Sequence, residues 1–245
     1  MKDGGRRIAT PRGALLADPA CLGTLLDTAA EALFEPQFWA ARGELVAVSA
    51  GRGASWFVES GPHRWVLRHY RRGGLMARLA QDRYFWAGEA RVRSFAEYRL
   101  LARLVQRGLP VPQPVAARYQ RSGMSYRCDL IMQRIADAQP LSAMLAVAAL
   151  SEASWRAIGT TLARLHQEGV DHADLNAHNI LLDSRGLISV IDFDRGRVHD
   201  RGAWTWRNLS RLRRSLAKIS RQLPPDRFSA AAWGCLLAGY ASFSK

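Results

Sequence analysis

Three side chains whose types and spacing could do chemistry are Asp174, Asn179 and Asp192. The first two lie in the run His172-Ala173-Asp174-Leu175-Asn176-Ala177-His178-Asn179; the third lies in Ile191-Asp192-Phe193-Asp194, which closes a short apolar run. An acid and an amide in one tight loop, followed by a strand that delivers a second acid, is what metal-assisted phosphoryl transfer requires. Asp174 can accept the proton of an incoming hydroxyl, while Asn179 and Asp192 can hold Mg²⁺ against the phosphates of a nucleotide. Asn176, two residues after the base, can bridge the γ-phosphate and the acceptor. A turn merely rich in Asp, Asn and His accounts for the residue types. It does not account for the second acid at the end of the next strand.

The elements that must position these groups are legible around them. Ser154 to His166 carries Ile158, Leu162 and Leu165 on one face, a helical period, and runs out at Leu165-His166-Gln167-Glu168-Gly169 with glycine at its end. Asn179 to Asp183 and Leu187 to Phe193 read as two strands joined by the turn Ser184-Arg185-Gly186. Order, spacing and context match the protein-kinase catalytic loop, H-x-D-L-x-x-x-N, with its later D-F-x. The neighbouring histidines read as structural: His166 as a core or capping residue, His172 as a brace for the loop backbone. His178 adjoins Asn179 but has no partners with which to build a metal site.

Nearer the start, Leu45 to Ser49 and Trp56 to Glu59 read as strands joined by Gly51-Arg52-Gly53-Ala54-Ser55. The backbone N–H groups of such a turn can lie over nucleotide phosphates, although hairpins also use glycine simply for positive φ. A third strand, Trp65 to Arg68, ends where a kinase carries the lysine that pairs with the α- and β-phosphates. Here that position is Arg68. A guanidinium can still bridge phosphate and carboxylate, and Glu97, one turn into the helix Ser94 to Gln106, is its natural partner. Leu109-Pro110-Val111-Pro112-Gln113-Pro114 forces an extended connection, because each proline biases its predecessor away from helix. Val115 to Tyr119 and Tyr126 to Gln133 complete a five-stranded antiparallel sheet. From Met132 to Ala136 the chain is expected to become a hinge that receives the adenine edge, with Met132 and Arg134 among the nucleotide-binding residues.

Charge and composition bound the class. The chain has 245 residues, 48% of them hydrophobic, enough for one large domain or two lobes sharing a cleft. Its net charge is +14, and Lys2, Lys218 and Lys245 are its only lysines. A basic field built from arginine favours nucleic acid, an anionic membrane face or a phosphorylated substrate; no nucleic-acid reader motif is present. Cys21, Cys128 and Cys235 give neither a disulfide framework nor metal-ligand spacing, which favours a reducing cytosol. Met1 to Arg12 is polar and basic without a long apolar core after it, so no secretory signal is expected. Phe228 to Phe243, the most apolar stretch, is shorter than the ~20 residues of a spanning helix and reads as a buried one.

Two segments concentrate arginine. Arg71 to Arg93 interleaves Arg71, Arg72, Arg78, Arg83 and Arg91 with Leu75, Met76, Leu79, Tyr84, Phe85 and Trp86, which suits a membrane interface or packing on the lobe. Asn208 to Leu223 is an amphipathic helix whose stripe of Leu209, Leu212, Leu216, Ile219 and Leu223 is core. Its flanking Arg207, Arg211, Arg213, Arg214, Lys218 and Arg221 form either a solvated face or an anion-binding wall. Little chain remains after Asp192 for the activation segment of a protein-substrate kinase, and Ala173 stands where many protein kinases carry arginine.

Together these runs resemble the 3-deoxy-D-manno-octulosonic acid (Kdo) kinase branch of the lipopolysaccharide kinase family, which has a protein-kinase-like fold. The likeness lies in Gly51-Arg52-Gly53, Trp65 to Gly74, Phe95-Ala96-Glu97, Leu109 to Pro112, His172 to Asn179, Ile191 to Gly196 and Asn208 to Leu216. The run Arg68-His69-Tyr70-Arg71-Arg72-Gly73-Gly74 separates this branch from generic small-molecule kinases and makes Arg68 an expected variant. Residues 1–43 read as an N-terminal extension with one helix near Pro19 to Leu33, and the resemblance implies an α+β, bilobal fold beyond it: a five-stranded lobe (44–134) and a helical lobe (135–245). It implies ATP and Mg²⁺ as cofactors, with Gly51, Arg52, Gly53 and Ala54 covering the phosphates and Arg68 and Glu97 aligning them. It also implies phosphorylation of the 4-hydroxyl of Kdo on a lipid A precursor, by a peripheral protein at the cytoplasmic face of a Gram-negative inner membrane. Neither nucleic acid nor a stable protein partner is expected. The rivals are an aminoglycoside-type phosphotransferase, whose cationic acceptor would want an acidic cleft, and an inactive kinase fold used as a binding module.

Overall fold

A computed structural model describes residues 5–49, 55–71, 82–200 and 202–243. Gly51, Arg52, Gly53 and Ala54 lie outside the described residues, as does 72–81 of the basic-aromatic segment. Internal contacts divide the chain into two units, Met1–Arg103 with Pro112–Arg134, and Leu104–Val111 with Ile135–Lys245.

The first unit is built on an antiparallel sheet. Its strands are β1 (Arg6–Thr10), β2 (Gly13–Ala17), β3 (Leu45–Ser49), β4 (Ser55–Ser60), β5 (His63–His69), β6 (Tyr84–Phe85), β7 (Pro114–Ser122) and β8 (Ser125–Gln133). They run in the order β1-β2-β7-β8-β5-β4-β3, with β6 on β8. The sheet therefore has eight strands, not the five expected. The extra hairpin β1–β2 comes from residues expected in an extension, and it pairs with β7 from Gly13↔Gln120 to Ala17↔Ala116. Ala14, Leu15, Leu16 and Ala17 are buried on both faces, so the strand lacks the alternation that marks a half-exposed one. The single helix expected near Pro19 to Leu33 is also broken up, into α1 (Pro19–Leu22) and α2 (Leu25–Ala29). Asp18 caps α1 through Ala20 N–H, and Gly23, at φ 52°, ends it where a side chain would be strained. With α3 (Pro36–Ala41), these turns lay Leu22, Leu26, Leu33, Phe34 and Trp39 on Trp65, Leu67, Val115 and Ile131 of the sheet. Trp39, fully buried, donates Nε1–H to Leu33 O at 2.8 Å and meets Trp65 edge-on. Truncating it to alanine is expected to cost about 3–5 kcal/mol. The long helix α4 (Arg93–Gln106) follows β6 and carries Glu97.

The second unit holds β9 (Ala138–Pro140), α5 (Leu141–Val147), α6 (Glu152–Gln167), β10 (Val170–Asp171), β11 (Ile180–Asp183), β12 (Ile188–Val190), β13 (Arg197–Val198), α7 (Trp204–Ser220) and α8 (Ala230–Phe243). Helix α6 starts where Ser151 accepts from Ser154 N–H and packs against α8. Glycines on both sides permit the approach: a Cβ on Gly159 would lie 2.0 Å from Leu236 O, and one on Gly239 would lie 2.1 Å from Arg156 O. His166 is the core residue expected, its Nδ1 2.7 Å from Tyr240 Oη. Among the described residues no helix is long and apolar enough to cross a membrane. This pair of helices is the platform from which β10 and the following loop emerge.

Candidate active site

The loop after β10 is held by side chains that reach back to its own backbone. Asn176 and Asn179 both donate Nδ2–H to Asp174 O, at 3.0 and 2.9 Å, and Asn176 Oδ1 accepts from His178 N–H at 2.8 Å. Asn179 O accepts from Ile191 N–H at 2.9 Å, which brings Asp192 beside Asn179. The structure thus gathers Asp174, Asn176, Asn179 and Asp192 in one place. Asn179 donates through Nδ2 to the loop, and its Oδ1 accepts no hydrogen bond among the described residues, so that oxygen could hold a cation. Asp192 sits at φ 65°, a left-handed conformation that costs a non-glycine residue about 1 kcal/mol. The Asp174 side chain is 64% exposed, with Arg211 Nη1 3.8 Å away.

His172 behaves as the brace expected, and its hydrogen bonds fix its tautomer. Nδ1 accepts from Asp174 N–H at 3.2 Å, so the ring proton is on Nε2, which donates to Ile191 O at 3.0 Å. One imidazole therefore ties the residue bearing the acid to the segment just after β12 that carries Asp192. Burial pushes the His172 pKa below the ordinary imidazole value, and a second ring proton would face Asp174 N–H. The ring packs on Phe193 with centroids 4.9 Å apart.

One residue of this loop's support was missed by reading the sequence for chemistry. Asn208, buried on α7, accepts from His172 N–H at 3.0 Å and donates to Asp171 Oδ1 at 2.7 Å. The signal was present: Asn208 lies four residues before Leu212 and eight before Leu216, a polar side chain on the buried stripe. Ser215 Oγ on the same helix accepts from Ala177 N–H, and Ser142 Oγ meets His178 Nδ1 at 2.8 Å.

In the first unit, Arg68 and Glu97 form the pair expected. Arg68 Nη1 lies 3.1 Å from Glu97 Oε1 and 3.5 Å from Oε2, and the Arg68 guanidinium rests 4.9 Å from the Tyr70 ring centroid. The Tyr70 hydroxyl donates to Glu97, so a carboxylate only 2% exposed is held by a cation and a phenol. Burial, then the charge of Glu97, raises the Tyr70 pKa, keeping the phenol protonated. His69 is held at Nδ1 by Asp129 at 2.6 Å, with Asp82 on its other nitrogen at 3.4 Å. The Asp129 bond raises its pKa despite burial. Met132 is buried in β8. Arg134 donates its backbone N–H to Arg64 O at 2.8 Å and holds its guanidinium 3.6 Å from Glu59 Oε1.

The acid–amide loop of the second unit and the buried Arg68–Glu97 pair of the first are features of kinase-type phosphotransferases, and the chain's likeness to known proteins puts it in that class. Within that class, residues 36–240 match the lipopolysaccharide kinase (Kdo/WaaP) family, and the chain belongs to it. It is similar to the 3-deoxy-D-manno-octulosonic acid kinase of Xylella fastidiosa (strain 9a5c), 50% identical over 79% of this chain and 78% of that one. The enzyme of the same name from Xanthomonas axonopodis pv. citri (strain 306) is 49% identical over 76% and 75%. That of Stenotrophomonas maltophilia (strain K279a) is 47% identical over the same shares.

Proposed function

We propose that this chain is an ATP-dependent kinase that phosphorylates the 4-hydroxyl of a Kdo residue on a lipid A precursor. The observation that carries the reading is the loop in which His172, Asn176 and Asn179 all bond the Asp174 backbone, leaving its carboxylate facing solvent beside Asn179 and Asp192. Asp174 accepts or orients the proton of the acceptor hydroxyl. Asn176, whose remaining N–H is uncommitted, bridges the transferred group and the acceptor. Arg68, fixed by Glu97, aligns phosphates, with Gly51, Arg52, Gly53, Ala54, Met132 and Arg134 as further nucleotide contacts. ATP with Mg²⁺ supplies the phosphoryl group and neutralises its charge. Asn179 and Asp192 fit Mg²⁺: they offer hard oxygens, and this ion keeps several waters and substrate oxygens instead of a full protein cage.

A peripheral position on the cytoplasmic face of the inner membrane goes with this acceptor. Supporting it, Phe85 and Met124 are 63% and 69% exposed and lie together where β6 meets the β7–β8 turn. Arg12, Arg83, Arg121 and Arg127 line a small cavity in the same region. An apolar tip ringed by arginine suits an anionic bilayer surface. The test of function is transfer of labelled γ-phosphate to Kdo-bearing lipid A precursor, with glycan-free lipid and a soluble aminoglycoside as controls. Labelling of the Kdo lipid alone is the expected result; labelling of the aminoglycoside alone would replace this reading.

A further inference from the structure

Beside the Asp174 loop, the second unit has a cavity of about 550 Å³ whose lining includes Asp171, His172, Trp206, Arg207, Arg211 and Arg214. Three guanidiniums on one helix face thus meet one lining carboxylate, and that carboxylate already accepts from Asn208. Their ion pairs are long: Arg207 to Asp171 at 4.0 Å and Arg211 to Asp174 at 3.8 Å. Arg214 has no ion-pair partner among the described residues. His172 adds no charge, its Nδ1 being an acceptor. Trp206, 62% exposed, offers an indole to the same cavity. Had α7 only a solvated basic face to show, its arginines would have no reason to converge on a concave wall next to the acid that meets the acceptor.

The geometry points to a subsite for the carboxylate of the acceptor sugar, formed by Arg207, Arg211 and Arg214, with Trp206 as the platform for the C–H face of the sugar ring. It rests on the reading of the acceptor as Kdo, a sugar acid. A planar guanidinium suits a carboxylate because two N–H groups match its two oxygens. Arg211 spans the two functions: it lies on the cavity wall and within 3.8 Å of the Asp174 carboxylate. An acceptor whose acid group is drawn onto this wall is therefore delivered beside the group that receives its hydroxyl proton. The site explains how a basic face selects an acidic sugar and turns away the cationic acceptors of other small-molecule kinases.

The test uses the full-length protein and needs no turnover in its first arm. Binding of Kdo methyl glycoside and of its neutral methyl ester is titrated by calorimetry. The acid is expected to bind at least about tenfold more tightly than the ester, the worth of one charge-assisted pair. Arg207→Ala and Arg214→Ala are each expected to weaken the acid about ten- to a hundredfold and to leave the ester unchanged. Arg→Lys at either position should recover part of the loss. Lys218→Ala, on the same helix but outside the cavity, should match the parent. In the second arm the same variants raise the acceptor KM and spare the ATP KM. Equal affinity for acid and ester, or parental affinity in the arginine variants, overturns the subsite. So does inorganic phosphate competing as well as the acid does, which would make the wall a phosphate site. A parent that discriminates acid from ester but transfers no phosphoryl group refutes the kinase reading and leaves the subsite standing. A parent that transfers phosphate while the variants keep its acceptor KM does the reverse.

Discussion

Replacing Asn208 by alanine tests whether the reactive loop is positioned from α7. The substitution removes the acceptor of His172 N–H and the donor to Asp171 Oδ1. These losses are unequal. The N–H belongs to a residue only 3% exposed and has nowhere to turn, so it carries the full cost of a stranded buried donor, about 1–3 kcal/mol. The Asp171 side chain is 22% exposed, so water can replace part of what it loses. A total near 2–3 kcal/mol follows, a large share of the ~5–15 kcal/mol that holds an ordinary domain folded. Denaturant unfolding should show this as a lower midpoint with an unchanged slope, and turnover should fall about tenfold or more as the loop shifts. Asn208→Asp sharpens the test, since it keeps the acceptor but sets a carboxylate against Asp171. Like charges so close repel, so this variant should also unfold at a lower midpoint than the parent near neutral pH. Asn208→Ala with the parental midpoint and turnover would refute the reasoning.

Three further outcomes follow from the same geometry. Arg68→Ala should weaken ATP binding and turnover together, and Arg68→Lys should restore only part, because an ammonium lacks the planar fork; a lysine variant more active than the parent would show that the fork is not used. The two braced histidines should move stability in opposite directions with pH. The lowered pKa of His172 gives stability that is present above the ordinary imidazole value of 6.5 and lost as pH falls from there toward its folded pKa. The raised pKa of His69 gives stability that is present below 6.5 and lost as pH rises through its folded pKa. Unfolding followed across this range in His172→Gln and His69→Gln should flatten one slope each, and slopes like the parent's would count against both assignments. Finally, Phe85→Ser with Met124→Ser should reduce sedimentation with anionic vesicles, and neutralising Arg121 should add about 1 kcal/mol of salt-sensitive loss; unchanged sedimentation would remove this tip from the membrane reading.

The reactive loop was legible because its chemistry depends on residue type and local spacing, both of which a sequence prints. Asp174, Asn176 and Asn179 fall within one turn of chain, and Asp192 follows two short strands later. Arg68 and Glu97 were legible for a different reason, each sitting at a fixed place on a strand and on a helix of unmistakable period. What failed was whatever depended on distant partners. Ala14 to Ala17 carried no alternation because both of its faces are covered, and pairing with β1 and β7 makes it a strand. The helix expected near Pro19 to Leu33 gave way to shorter turns because Gly23 ends α1 and Trp39 draws the later residues onto the sheet. Asn208 was hidden in a helix read for its leucines. Its role appears only once α7 lies against β10.

The most direct measurement of the central claim is turnover of Asp174→Ala on Kdo-bearing acceptor, alongside its affinity for ATP. Loss of a positioned proton acceptor should lower turnover on the order of 10²–10⁴-fold. ATP affinity should hold, because the Asp174 carboxylate faces solvent and is assigned to the acceptor, not to the phosphates. Near-parental turnover in this variant would contradict the account.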